Sequence, residues 1–163
     1  MPKHKQGVYL IYLVTLGVTF FWLSTIFLAP YLKNHSPAIS RLIYAAFAPI
    51  CHQISSRCFF AFGQPLAVCA RCLGIYIGFF TGTAIFPLLK GFSHSSLPRA
   101  RTLAFFSAPI ALDTFWNLLS LWRSPGEVRF VTGLIWGIVL PFYFIPGMTD
   151  CVLRKRRIDD TTG

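Results

Sequence analysis

Residues 51–72 hold four of the five cysteines of this chain, as Cys51-His52 with Cys58 following, then Cys69-Ala-Arg-Cys72. A Cys-x-x-Cys pair places two thiols on one turn, a spacing shared by metal sites and dithiol redox centres. Cys51, His52, Cys69 and Cys72 form a nitrogen–sulfur donor set that suits zinc, iron or copper. Zinc is the default because it needs no redox partner. The spacing is not that of a standard zinc ribbon. The side chains of adjacent Cys51 and His52 diverge, so Cys58 competes with His52 for the fourth position. Two other chemistries fit the same residues. Four cysteines in an oxidising compartment can close two disulfides, with three possible pairings. Alternatively, Cys69 and Cys72 sit where a helix begins. There the helix dipole and the charge of Arg71 favour a thiolate able to exchange with Cys51 and Cys58.

The elements around these thiols are those of a membrane protein. The 163 residues are 55% hydrophobic and 17% aromatic but only 12% charged, about half the charge of a soluble domain. Apolar stretches at 7–32, 72–89, 102–122 and 128–148 each approach the roughly 20 residues that a helix needs to cross a bilayer. The first is longer than a signal-peptide core and lacks a small-residue cleavage site, so it reads as a retained helix. Between the first two crossings, Ser36-Pro37 is a helix start. Ile39, Leu42, Ile43, Ala46, Phe47 and Ile50 recur at helical spacing. Residues 37–50 therefore form a helix too short to span, lying in the membrane interface or packed on the bundle. The expected fold is an all-α, single-domain, four-helix membrane bundle with this short helix added.

The net charge of +10 does not indicate nucleic-acid binding, because no basic stripe interleaved with aromatics lies on a soluble segment. Lys and Arg cluster instead at the edges of apolar runs. Placing both termini and the loop from Lys90 to Arg101 in the cytoplasm puts most of them inside, Arg154–Arg157 included. The thiol-rich loop then faces outward and Cys151 stays alone on the cytoplasmic side.

Asp113 lies within the third crossing, where a carboxylate costs about 2.5–3.5 kcal/mol and must find partners. Asn117 is one turn on, and Arg71 and Arg129 open the second and fourth crossings. Arg71, Asp113, Asn117 and Arg129 are thus expected to form a polar network beneath the thiols, either a clasp between helices or a cofactor-binding surround. Gly74, Gly78 and Gly82 on the second crossing, and Gly133 and Gly137 on the fourth, recur every four residues. Such stripes allow close helix approach, within the bundle or between copies.

Taken together, "CHQISSRCFFAFGQPLAVCARCLGIYIGF", the aspartate in "ALDTFWN" and "VRFVTGLIWG" resemble a family of small prokaryotic membrane proteins of unknown function. The resemblance covers roughly residues 45–140. It implies a cytoplasmic-membrane location. It also implies that Cys58 can be replaced by serine and Cys72 by aspartate, while Cys51, His52, Cys69 and Arg71 recur. Aspartate can ligate a metal but cannot form a disulfide, so the resemblance favours a metal site. Relatives place glutamine where this chain has Asn117, and either residue keeps an amide there. The architecture is also similar to the quinone-linked disulfide-generating oxidases and vitamin K epoxide reductases. In those oxidases, however, the second cysteine pair lies in the other outer loop. The leading expectation is a transition-metal site with a structural or accessory role. The alternatives are a quinone-linked thiol oxidoreductase, or a subunit of a larger complex with bridged cysteines.

Overall fold

The computed structural model describes residues 3–90, 98–119 and 123–162. The end of the third expected crossing, residues 120–122, lies outside them, as does most of the loop before that crossing. The elements in order are α1 (Lys3–His35), α2 (Pro37–Phe47), a 3₁₀ turn (Ser55–Arg57), β1 (Phe60–Ala61), β2 (Gln64–Pro65), α3 (Ala70–Lys90), α4 (Ala100–Leu118), α5 (Gly126–Val139) and α6 (Pro141–Thr162).

Among the described residues, three stretches are long and apolar enough to cross a membrane: Gln6–His35, Ala70–Leu89 and Gly126–Val152. The third contains a joint. Pro141 has no N–H to continue the helix ladder, and the amides of Tyr143 and Phe144 both turn back to the Leu140 carbonyl, at 3.0 and 2.9 Å. The expected third crossing is helical as α4. It is not among the three apolar stretches, because Arg101, Asp113 and Asn117 lower its hydropathy.

Helix α2 starts at Pro37, as Ser36-Pro37 predicts, and packs on α1. Ser40 Oγ donates to the Ala29 carbonyl at 2.8 Å, and the Phe47 and Trp22 rings meet edge to face at 4.9 Å. The opposite face leaves Ile39 and Leu42 exposed, as an interfacial helix would. A two-residue hairpin, unforeseen in the all-helical reading, follows it. Ala61 pairs with Gln64 and Phe60 with Pro65. Its turn residues Phe62 and Gly63 have φ of 55° and 74°, the left-handed pair that a primed two-residue turn requires. Glycine adopts this freely. Phe62 is held there with its ring against Tyr31, centroids 5.5 Å apart.

The tightest contact in the bundle joins α3 and α5. A Cβ on Gly74 would overlap the Phe130 carbonyl oxygen, one on Gly78 that of Leu134, and one on Gly82 that of Ile138. From the other side, Gly133 abuts the Arg71 carbonyl and Gly137 that of Ile75. Rising numbers on α3 meet rising numbers on α5, so the two helices run parallel. Both glycine stripes are consumed within one chain. Val8 of α1, Phe86 of α3 and Ile145 of α6 form a buried cluster at one end. Ile26, Phe47, Cys51, Ala67, Val68 and Leu73 form a larger one at the thiol end.

Substituting Gly78 by alanine should destabilise the protein by at least about 1–3 kcal/mol, the usual cost of overpacking, because the obstacle is backbone. Gly17, with nothing within 4 Å of an added Cβ, should accept alanine with little change. Unfolding of both variants in mixed micelles, followed by circular dichroism, checks the contrast.

Candidate metal centre and its polar neighbour

The loop after α2 is folded by its own main chain and by one glutamine. Cys51 N–H donates to the Phe47 carbonyl at 3.0 Å, continuing the turn that ends α2. At Gln53 the backbone reverses with φ of 49°. Its side-chain amide then donates to the carbonyls of Tyr44 (2.7 Å) and Ala67 (2.9 Å), tying the two halves of the loop together. The Tyr44 hydroxyl closes the same seam on the Pro65 carbonyl. Buried Ala67 and Val68 therefore pass beside Cys51, and α3 begins directly after them.

The result is a cluster of three thiols. The Sγ atoms of Cys51, Cys69 and Cys72 all lie within 4.8 Å of one another. All three are free thiols, and the Cys69 N–H donates to Cys51 Sγ at 3.2 Å. Zinc–sulfur bonds of about 2.3 Å put sulfurs of a tetrahedral site roughly 3.8 Å apart, so the cluster is close to ligand spacing. Cys51 is buried, and Cys69 and Cys72 are half-buried. Neither sequence-level candidate for the fourth donor joins them. His52 is exposed and its ring nitrogens are outside the group. Cys58 is buried and donates to the Ile54 carbonyl at 3.3 Å.

The thiols differ electrostatically. Hydrogen bonds from the Cys51 thiol, then from the Cys72 thiol, and from the first amides of α3 hold Cys69 well below its ordinary pKa. Burial, reinforced by negative charge at Cys69 and Cys51, pushes Cys58 up to about 11. Within the cluster the surroundings of Cys69 favour the thiolate, whereas burial disfavours it at Cys58.

Beside the cluster lies the polar network. Arg71, between Cys69 and Cys72, sends its guanidinium to Asp113 of α4. Ser124 Oγ donates to the other carboxylate oxygen. The Asn117 amide donates to the Asp113 carbonyl and to Ser124 Oγ, each at 2.6 Å. Arg129 of α5 donates from Nε to the Ser124 carbonyl at 3.0 Å and from a terminal nitrogen to Asn117 Oδ1. All four residues expected of the network therefore meet. Ser124 is an addition, and the only sequence signal for it is Ser124-Pro125 just before α5. Two further polar contacts join α4 to the α5–α6 side: Trp136 Nε1 to Ser107 Oγ and Tyr143 OH to the Arg99 carbonyl, both 2.8 Å.

A scan of family models matches residues 51–143 to the family described as "Predicted membrane protein (DUF2085)". An uncharacterized protein of Methanocaldococcus jannaschii is 39% identical over 153 residues, covering 90% of this chain and 96% of that protein. An uncharacterized protein of Methanothermobacter thermautotrophicus is 32% identical over 99 residues, covering 61% of this chain and 87% of its own length. No solved structure matches. The chain belongs to this family of membrane proteins.

Two outcomes follow from the geometry. Asp113→Ala strips the acceptor from Arg71 and Ser124 and should cost about 3 kcal/mol, as breaking a buried pair does, whereas Asp113→Asn should cost less. Unfolding in micelles measures both. At pH 8, Cys58 should react with iodoacetamide far more slowly than free glutathione does, and its rate should climb as the pH nears 11. Peptide mapping after timed quenching reads the two rates, and equal rates at pH 8 would mean an open thiol.

Proposed function

We propose that this protein is a multi-pass membrane protein that binds one transition-metal ion, most simply zinc, through Cys51, Cys69 and Cys72. The observation that carries the reading is the convergence of three free thiols within 4.8 Å. Borderline-soft divalent ions favour such sulfur sets, and coordination would deprotonate the thiols outright. The ion would pin the Cys51 loop, and α2 with it, to the first turn of α3, which is a structural role. The fourth position falls to water or to a donor from a neighbour. His52 takes it only if its turn rearranges. Arg71, Asp113, Asn117 and Arg129 would surround the site and fix the α3 end that presents two of its ligands. In this reading both termini face the cytoplasm and the site lies at the outer face of a prokaryotic cytoplasmic membrane.

A thiol oxidoreductase is the second reading, favoured by the lowered pKa of Cys69 next to two partner thiols. A quinone near Arg71 and exposed Trp116 would take the electrons released when a disulfide forms. The experiment that separates the two is elemental analysis beside thiol counting on purified protein. The metal reading expects about one equivalent of ion and reduced cysteines. Cobalt substitution should add a sulfur-to-metal charge-transfer band, lost in Cys51→Ser, Cys69→Ser and Cys72→Ser but kept in Cys58→Ser and Cys151→Ser. A metal-free protein with a reducible Cys51–Cys69 or Cys69–Cys72 bond would overturn it.

A further inference from the structure

A second feature lies away from the thiols, where the α1 span ends at His35. A cleft of about 500 Å³ opens between the last turn of α1, α2 and the hairpin, lined by Lys33, Arg41, Ser40, Tyr44, Gln53 and Ser55 among others. No carboxylate lines it. The imbalance runs through the chain: residues 1–112 contain no Asp or Glu, and the five acidic residues are Asp113, Glu127, Asp150, Asp159 and Asp160. Asp113 is engaged by Arg71 and Ser124. Among the described residues, Lys33 meets only a neutral acceptor, Gln64 Oε1 at 2.7 Å. Arg41 spends only Nε, on the Pro37 carbonyl at 3.4 Å, which leaves the terminal nitrogens of its fork. Two cations with spare donors therefore converge on one cleft at the boundary of an apolar span, without an internal counter-ion.

We propose that this cleft binds a phosphate group, with Lys33 as the point charge and Arg41 as the planar donor. Its place at the end of a span, beside the exposed apolar residues Ile39 and Leu42 of α2, suits the headgroup of an anionic phospholipid. Free phosphate offers the same chemistry. The site is independent of the metal reading.

The test uses the full-length protein in neutral detergent. Native mass spectrometry counts retained phosphatidylglycerol against phosphatidylcholine, and a parallel titration uses inorganic phosphate. Wild type should retain one phosphatidylglycerol preferentially. Lys33→Gln with Arg41→Gln should weaken that retention about tenfold or more, as expected when two cations are removed from an anionic surface. The charge-matched control, Arg57→Gln with Arg123→Gln, removes two exposed cations that do not line the cleft and should leave retention unchanged. Phosphate binding without lipid retention, lost in the same double variant, would assign the site to the free anion. Equal losses in both double variants, or none in the cleft variant, would overturn the proposal. Lys33→Arg, which keeps the charge and leaves Arg41 in place, should retain binding and so distinguishes charge loss from misfolding.

Discussion

The backbone contact between α3 and α5 sets the position of everything else at the thiol end. Lipid tails are as apolar as leucine, so helices in a bilayer gain little by hiding apolar surface from one another. They associate by packing and by polar contacts. Five glycines here let two parallel helices touch carbonyl to Cα. A slide along either axis would drive side chains into backbone, so the contact also fixes the register. Because the helices are parallel, their first turns lie together. Cys69, Arg71 and Cys72 come from one, and Arg129 from the other. The neighbourhood of the thiols and the arginines thus follows from glycines that have no chemistry of their own.

Helix α4 is held differently. It has no glycine stripe, and its exposed Phe105, Leu112, Phe115 and Leu118 leave little apolar surface for the bundle. Polar contacts at three levels attach it, the strongest being the Asp113 clasp. A charged pair removed from water gains little net stability over an apolar isostere but is costly to break. The clasp therefore specifies where α4 sits more than how stable the protein is. It also ties α4 to the residue between two cluster thiols, so a displacement of α4 would be felt at Cys69 and Cys72.

Much of this was legible in the sequence, and the parts that were not have identifiable causes. The glycine spacing predicted the α3–α5 face, and the cost of a membrane carboxylate predicted that Asp113 would sit in a network, here bonded to Arg71 and Asn117 with Arg129 reaching it through Asn117 and Ser124. Cys51 and His52 were both expected as ligands, and only Cys51 joins the cluster, because adjacent side chains diverge. The hairpin was missed because its strands are two residues long, too short for an alternating pattern, and its left-handed turn needs only one glycine. Gln53 was read as part of a motif without a role. A side chain that bridges the Tyr44 and Ala67 carbonyls, nine residues behind it and fourteen ahead, leaves no periodic trace. Ser124 escaped for the same reason, since a loop serine ordinarily faces water. The break at Pro141 lies in a run whose hydropathy is continuous, so composition alone joined α5 to α6.

The charge balance bears on which chemistry the thiols serve. Arg71 and Arg129 bring two positive charges and Asp113 one negative. The network beside the thiols therefore carries a surplus of one positive charge, which favours negative charge on the cluster. A divalent ion bound by three thiolates carries a net charge of minus one, and the thiol protons leave as the ion enters. Such a centre would offset the surplus charge of the network. Oxidation of Cys69 to a disulfide is different. A disulfide carries no charge, so it would do nothing to offset the surplus positive charge of the arginines. On the metal reading, the surplus positive charge of the network suits a cluster that holds negative charge, as a metal thiolate does.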